Sequence, residues 1–325
     1  MNEMNEKLIV SPAPHLKNPV KTKNIMLDVI IALIPALIAA IIIFGFRALL
    51  LVIVTVAACV LSEYCVRKIM KRKNTISDLS AVVTGILLAF NLPAGLPIWM
   101  AILGGVIAII LVKQIFGGIG HNFVNPALVA RTILFISFPI AMTLWSAPST
   151  YSDQEVPAIS AVSAATPLGM LSGENVESLP SYRDLFLGNN PGALGEVSAL
   201  ALTLGGIYLV IKKIIKPTIP LIFIGTVFIL AAFLGEDPLA HILSGGLFLG
   251  AIFMATDYTT SPLTNKGKAL YAVGCGFFTI IIRFFGDLPE GVAFAIIIMN
   301  ILVPYIERIT APKPTSLEGV KRWNI

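Results

Sequence analysis

Ten long apolar segments separated by polar stretches dominate this sequence of 325 residues. A helix needs about 20 apolar residues to cross a hydrocarbon core of roughly 30 Å, and lipid cannot satisfy the open backbone groups of irregular chain. The predicted spans are 27–46, 48–66, 79–92, 97–114, 127–144, 196–211, 218–235, 238–256, 268–285 and 289–306. Only 13% of the residues are charged, whereas a soluble domain averages about 25%. The sequence therefore predicts an all-α polytopic membrane protein with about ten transmembrane helices.

Lysine and arginine are concentrated on one side of the predicted spans. They are frequent in the N-terminal arm (1–26), in the loop after the second span and in the tail (307–325), whereas the loops of the other side are acidic and carry only two basic residues, Arg47 and Arg183. Because basic loops stay in the cytoplasm, we expect both termini to be cytoplasmic and the long polar loop 145–195 to be extracytoplasmic. The basic residues form no aromatic-studded patch, so nucleic acid is not an expected partner.

The loop 145–195 divides the chain into two five-span halves, 27–144 and 196–306. An odd number of spans in each half places two related copies in opposite orientations, which is the inverted-repeat plan of many transporters. Short stretches rich in Pro or polar residues interrupt both halves, at Asn91–Pro97 and at Thr256–Pro262. We expect these interruptions to mark a central pathway.

Five polar residues within or beside the spans are candidates for an ion path or for the site of a polar cofactor: Asp257, Thr256, Asn91, Asn122 and Asn125. Ionisable groups in a span cost several kcal/mol and indicate function. Asp257 either binds a cation or polar cofactor, or caps the turn that follows its helix. Asn122 and Asn125 lie in a glycine-rich segment that is either a re-entrant site or a tight turn. Asn91 either lines the pathway or joins two helices by a hydrogen bond.

The cysteine spacing does not indicate a metal site. Cys59, Cys65 and Cys275 all lie within or beside apolar segments, and the chain has neither a Cys-x-x-Cys motif nor a Cys/His pair with ligand spacing. These patterns are the usual sequence signals of zinc and iron–sulfur centres. We therefore expect no metal ligands among the cysteines and interpret each as a small buried side chain.

Several segments together carry a family resemblance. They are Gly-Gly-Ile-Gly-His-Asn-Phe-Val-Asn-Pro-Ala at 117–127, Ser-Ala-Ala-Thr-Pro-Leu at 163–168, Met-Ala-Thr-Asp at 254–257 and Thr-Ser-Pro at 260–262. With the ten spans in two halves, they resemble the D subunits of Rnf ion-translocating electron-transport complexes and the related B subunits of sodium-pumping NADH:quinone oxidoreductases. The resemblance covers roughly residues 15–310. It implies the urea-transporter-like fold of that family.

The resemblance also implies a covalently bound flavin. The family signature is Ser-(Gly/Thr)-Ala-Thr, and its threonine bears FMN through a phosphoester bond. The matching residues are Ser163, Ala164, Ala165 and Thr166, so that Thr166 is the expected acceptor. Ala164 departs from the usual Gly or Thr, but it is small, and we expect the flavin transferase still to reach the hydroxyl. Pro167 restricts the backbone around the acceptor.

The same resemblance implies a function and partners. The chain would be a flavoprotein subunit of a prokaryotic inner-membrane pump, which passes electrons between reduced ferredoxin and NAD and moves Na⁺ or H⁺. The chain has no dinucleotide fingerprint and no Walker loop, so the other Rnf subunits would deliver the electrons. A flavin transferase and membrane lipid are further expected partners. A second, noncovalent flavin such as riboflavin, and the choice between Na⁺ and H⁺, stay open.

A second function of another class fits part of the pattern. Inverted repeats with interrupted helices are also typical of a channel or secondary transporter for a small polar solute, which needs no redox group. The segment around Thr166 distinguishes the two hypotheses, because a solute channel has no reason to keep a flavin acceptor outside the bilayer. We therefore favour the flavoprotein.

Overall fold

The structure is a computed structural model that describes residues 21–146, 166–171, 180–196, 198–286 and 290–311. Regular structure in these ranges is helical, and an isolated β-bridge joins Pro93 and Ala193. The longer helices are α1 (Thr22–Phe44), α2 (Phe46–Ile69), α3 (Ser80–Phe90), α4 (Ile98–Ile107, continued by a π-helical segment Ala108–Gln114), α5 (Pro126–Ser137), α9 (Ala199–Ile211), α10 (Thr218–Phe233), α13 (Asn265–Phe285) and α14 (Val292–Thr310). The short helices are α6 (Pro139–Thr143), α7 (Pro167–Leu171), α8 (Tyr182–Leu187), α11 (Pro238–Leu243) and α12 (Leu247–Leu249, continued by a π-helical segment Gly250–Met254).

Four of these helices, α1, α2, α13 and α14, are long and apolar enough to cross a membrane. Five shorter apolar helices accompany them in the described ranges, namely α3, α4 with its π-helical segment, α5, α9 and α10. The prediction of an all-α polytopic membrane protein is thus confirmed.

Two predicted spans are interrupted in the structure. The segment 238–256 divides into α11 and α12 because Gly245 and Gly246 have φ angles of +68° and +69°, a left-handed conformation that ends a helix. The segment 127–144 divides after Ser137 because Pro139 cannot donate the next helical hydrogen bond. Apolar composition predicted the extent of both segments but not these breaks.

The connecting segments gather at two ends of the helix bundle. The basic end holds the start of α1 and the end of α9, where the Tyr208 hydroxyl donates to Asp28 at 2.7 Å. The opposite end, named here the Thr166 end, holds α7 and α8, and the Tyr182 hydroxyl donates there to Asp237 at 2.6 Å.

Glycines let the helices of the core approach closely. A Cβ at Gly205 of α9 would lie 2.1 Å from the carbonyl oxygen of Ala32 in α1, and a Cβ at Gly85 of α3 would lie 2.7 Å from the Cα of Val56 in α2. Small residues are typical of helix contacts in membranes, where van der Waals packing replaces the hydrophobic effect as the driving force. This packing holds the interrupted segments in the centre of the bundle.

Candidate functional site

Asn91, the first residue of one predicted interruption, lies beside Met254, two residues before the other, inside the bundle. The Asn91 amide, at the end of α3, donates to the Leu87 carbonyl at 2.7 Å and lies 3.7 Å from the sulfur of Met254. The Asn125 amide donates to the Met254 carbonyl at 3.5 Å. Arg131 of α5 donates to the Asn91 carbonyl at 3.2 Å. The free backbone groups at the breaks are therefore partly satisfied by side chains from elsewhere in the bundle.

A cavity of about 430 Å³ opens between these interruptions and the basic end. Its walls are mostly apolar and come from α1, α3, α9 and the π-helical segment before Ala255. Its polar lining consists of Thr22, Ser80, Thr84, Lys113, Asn122, Asn125, Thr256, Asp257, Tyr258 and Thr259. The structure thus brings together four of the five predicted pathway residues, whereas Asn91 is not part of the lining.

Asp257 caps the turn that follows its helix, which is one of the two roles that the sequence left open. Its carboxylate accepts hydrogen bonds from the Thr259 backbone N–H at 3.3 Å and from the Thr259 hydroxyl at 3.0 Å, so it caps the turn after the break. It also lines the cavity. Asn125 likewise caps α5 by accepting from the N–H of Ala127 at 3.0 Å and lines the cavity as well. Asn122 is buried, and its side-chain oxygen has no hydrogen-bond partner among the described residues.

A buried ion pair beside the cavity was not among the sequence candidates. The Lys113 ammonium donates to the Glu63 carboxylate at 2.8 Å and to the Ser80 hydroxyl at 2.6 Å. Glu63 also accepts from the Thr75 hydroxyl at 2.6 Å. Lys113 belongs to the π-helical segment Ala108–Gln114, a geometry that is frequent at functional sites. Glu63 lies within the predicted second span, and an acid at that place was the signal that would have found the pair.

Thr166, the predicted flavin acceptor, lies at the opposite end of the bundle from the cavity. Its hydroxyl oxygen accepts a hydrogen bond from the Gly169 backbone N–H at 3.2 Å and thereby caps α7. Pro167 is the first residue of that helix, where its missing N–H has no cost. The other motif residues, Ser163, Ala164 and Ala165, lie outside the described residues.

A small pocket of about 10 Å³ adjoins Thr166. Its polar lining is Thr166, Asn190, Glu196 and Glu290. One wall is formed where the side chain of Leu168 packs on Gly245, since a Cβ at that glycine would lie 2.2 Å from the leucine.

Two buried arginines lie behind this pocket. Arg283 donates to the carbonyl oxygens of His241 at 2.6 Å, Ser244 at 3.1 Å and Glu290 at 3.3 Å. Arg131 forms an ion pair with the Glu290 carboxylate. The Thr166 end therefore combines, within one cluster, the Thr166 hydroxyl, the carboxylates of Glu196 and Glu290, and the guanidinium groups of Arg131 and Arg283.

The fold and these two regions define a class of protein: a polytopic helical membrane protein with interrupted helices, a largely apolar internal cavity that carries a few polar groups, and a charged cluster at the other end. A family model described as the NQR2, RnfD, RnfE family matches residues 9–316. The chain belongs to this family.

Curated relatives agree with this membership. The chain is 47% identical over 324 residues, 99% of both proteins, to the D subunit of the Na⁺-translocating ferredoxin:NAD⁺ oxidoreductase complex of Acetobacterium woodii. It is 41% identical over 318 residues, covering 93% of this chain and 94% of the relative, to the D subunit of the proton-translocating ferredoxin:NAD⁺ oxidoreductase complex of Clostridium ljungdahlii. The D subunit of the ion-translocating oxidoreductase complex of Escherichia coli is 35% identical over 343 residues, which cover 94% of this chain and 97% of that protein. The resemblance inferred from the motifs is confirmed.

Proposed function

We propose that this chain is the membrane-embedded flavoprotein subunit of an Rnf-type pump, which couples electron transfer between ferredoxin and NAD⁺ to ion movement. The observation that carries the proposal is the nearly full-length similarity to the D subunits of two ferredoxin:NAD⁺ oxidoreductase complexes. The helical membrane fold agrees with it. One of these relatives is named for Na⁺ and the other for protons, so both ions are candidates. The other subunits of such a complex are the proposed partners.

The proposed architecture is ten spans in two inverted five-helix repeats, with both termini in the cytoplasm of a prokaryotic cell. Two observations support it. The Asn91 side chain, at the interruption after α3, lies 3.7 Å from the sulfur of Met254, which lies two residues before the other interruption, as expected for equivalent elements that meet at a pseudo-twofold axis. The loop after α2 and the loop after α9 carry clusters of Lys and Arg at the basic end, which the positive-inside rule places in the cytoplasm.

FMN bound through a phosphoester to Thr166 is the proposed redox group of this subunit. The Thr166 hydroxyl is partly exposed and accepts a hydrogen bond, and no described residue accepts one from it, so its oxygen is free to be modified. Arg131 and Arg283 supply positive charge near the expected phosphate and help offset the adjacent carboxylates. When bound, FMN supplies one- and two-electron transfer. The protein holds the attachment point on a capped helix and keeps the guanidinium groups in place through backbone carbonyls.

The cavity at the basic end is proposed as the second cofactor site or as part of the ion path. Its volume of about 430 Å³ and apolar walls with a few polar groups are typical of small-molecule sites. Asp257, Asn122 and Thr256 supply oxygen acceptors, and Lys113 supplies a cation. Oxygen acceptors together with a cation could bind a polar ring system such as riboflavin, and the oxygen acceptors alone could coordinate a cation that moves along the path.

Replacing Thr166 with valine tests the attachment. The complex is produced together with its flavin transferase, and the denatured chain is examined for flavin fluorescence in a gel. We expect the wild-type band and a Thr143→Val control, altered at the same end, to fluoresce, and the Thr166→Val band to be dark. A fluorescent Thr166→Val band would refute the assignment. A wild-type chain that is never fluorescent, yet conducts a small solute in liposomes, would favour the channel hypothesis.

A further inference from the structure

The small pocket beside Thr166 has the dimensions and the lining of an ion site. Its volume of about 10 Å³ accommodates one particle the size of a water molecule. The side chains of Thr166, Asn190, Glu196 and Glu290 supply oxygen atoms from separate segments of the chain. This lining is richer in oxygen acceptors than in hydrogen-bond donors.

One of these oxygens is buried and has no partner. Asn190 is 6% exposed, and its side-chain oxygen accepts no hydrogen bond from any described residue. A buried polar atom left unpaired costs free energy, and native proteins rarely keep one without a ligand, water or ion. Because Asn190 lines the pocket, the pocket is where its missing partner belongs.

The Glu196 carboxylate, which is partly buried, is a second group of the lining without a partner among the described residues. Within the described part of the chain, no lysine or arginine nitrogen lies within 4.0 Å of it, and no side chain or backbone N–H donates to it. Gly246 leaves room for this carboxylate, since a Cβ at that position would lie 2.4 Å from a Glu196 oxygen. The glycine thus clears the space that the negative charge occupies.

The neighbouring arginines do not fill this gap. Arg131 pairs with Glu290, and Arg283 uses its donors on three backbone carbonyls. Both are near enough to interact electrostatically with Glu196, but neither forms an ion pair with it. A pocket large enough for one small ion or water molecule, with four oxygen-bearing side chains in its lining, is therefore left beside them.

From this geometry we infer that the pocket binds one hard metal cation through oxygen ligands from Asn190, Glu196, Glu290 and Thr166. Hard cations prefer carboxylate, amide and hydroxyl oxygens. The sequence did not indicate the site, because its ligands come from three separate parts of the chain, with Asn190 and Glu196 on one of them, and include only two carboxylates. A phosphoester on Thr166 would add an anionic oxygen, so the ion should bind more tightly to the modified chain; this part rests on the proposed function.

Binding of Mn²⁺, a paramagnetic ion that prefers oxygen ligands, tests the inference. The intact complex is washed with chelator and titrated with Mn²⁺, and free Mn²⁺ is followed by electron paramagnetic resonance. We expect one saturable site that loses at least tenfold in affinity in Glu196→Gln. Glu236→Gln, an acid of the same end that lies outside the pocket, should leave the affinity unchanged. Equal affinities in wild type and Glu196→Gln, or no such site, would overturn the inference.

A variant that is expected to strengthen Mn²⁺ binding controls for loss of binding through misfolding. Asn190→Asp adds a carboxylate to the pocket and should tighten Mn²⁺ binding about tenfold, a gain that misfolding cannot produce; unchanged or weaker binding would count against the inference. Competition by Na⁺, with K⁺ as control, and by Mg²⁺ then shows which small cation the pocket takes.

The same titration on Thr166→Val separates this inference from the proposed flavin. If the flavin proves to be attached elsewhere while Mn²⁺ binding still depends on Glu196, the ion site stands and the attachment fails. If Thr166 carries the flavin but the wild type has no Mn²⁺ site that depends on Glu196, the flavin attachment stands and the ion site is refuted.

Discussion

Neutralising one partner of the buried Glu63–Lys113 pair should destabilise the protein strongly. Glu63→Gln removes the negative charge that faces the Lys113 ammonium, which is 2% exposed, and leaves it with neutral oxygens such as the Ser80 hydroxyl at 2.6 Å. Removing one partner of a buried pair costs about 3–5 kcal/mol because the other charge stays uncompensated. Glu63→Gln should reach the upper part of that range, because Arg67, whose Nε lies 3.8 Å from Glu63, also loses its counter-charge.

The reverse substitution should cost less. In Lys113→Met the Glu63 carboxylate keeps the Thr75 hydroxyl at 2.6 Å and the Arg67 guanidinium at 3.8 Å. The double variant Glu63→Gln/Lys113→Met removes both charges. It should be more stable than Glu63→Gln alone, because replacing both members of a buried pair is often nearly neutral.

Thermal unfolding of the purified protein in detergent measures these differences. A change of 1 kcal/mol shifts Tm by roughly 2–4 °C in a domain of about 150–250 residues, so Glu63→Gln should lower Tm on the order of 10 °C. Lys68→Met, an exposed lysine of the same helix, is the matched control and should change Tm little. A decrease in Tm of less than about 2 °C for Glu63→Gln would refute the reasoning. So would a double variant whose decrease in Tm equals the sum of the decreases in the two single variants.

Two further predictions concern packing and pH. Gly205→Ala should lower the stability of the protein by about 1–3 kcal/mol, because its Cβ would lie 2.1 Å from the Ala32 carbonyl oxygen. Gly225→Ala, whose Cβ would have no atom within 4 Å, is the control and should not lower it. Equal Tm values for the two variants would contradict this prediction. Desolvation raises the pKa of Asp237, but hydrogen bonds from the Tyr182 hydroxyl and from backbone N–H groups outweigh it and hold the pKa below its ordinary value. The stabilisation from Asp237 is therefore present at neutral pH and lost as the pH falls through this lowered pKa. Tyr182→Phe should move the loss to higher pH in a Tm-against-pH profile, and an unchanged profile would show that the hydrogen bond is not responsible.

The helices of the fold could be read largely from the sequence. The segment 48–66 corresponds to α2, and the segment 268–285 to α13, with boundaries within a few residues. Composition succeeds here because transfer into lipid depends on the residues of each segment alone. The interruption at Gly245 and Gly246 was not predicted from composition, because an apolar segment with two glycines has the same composition whether its helix is continuous or broken.

The candidate sites were predicted in part. The break residues Thr256 and Asp257, chosen because polar groups are costly in a membrane, do line the cavity. Lys113 falls at the end of a predicted span, where a lysine usually faces the cytoplasm, yet the π-helical segment turns it towards Glu63 inside the protein. Local sequence does not show such a change of helical register, so the acid at Glu63 could be noticed in the sequence but its partner Lys113 became visible only in the structure.

The sequence by itself determined the helical membrane fold, the family and the motif that contains Thr166, because each depends on residues that are consecutive or that occur in a recognisable order. Only the tertiary structure decided which distant groups share a site. Asn190, Glu196 and Glu290 reach the same small pocket because separate segments pack at one end of the bundle. Contacts of this kind depend on how helices pass one another, and the spacing of residues along the chain does not encode them in a readable form.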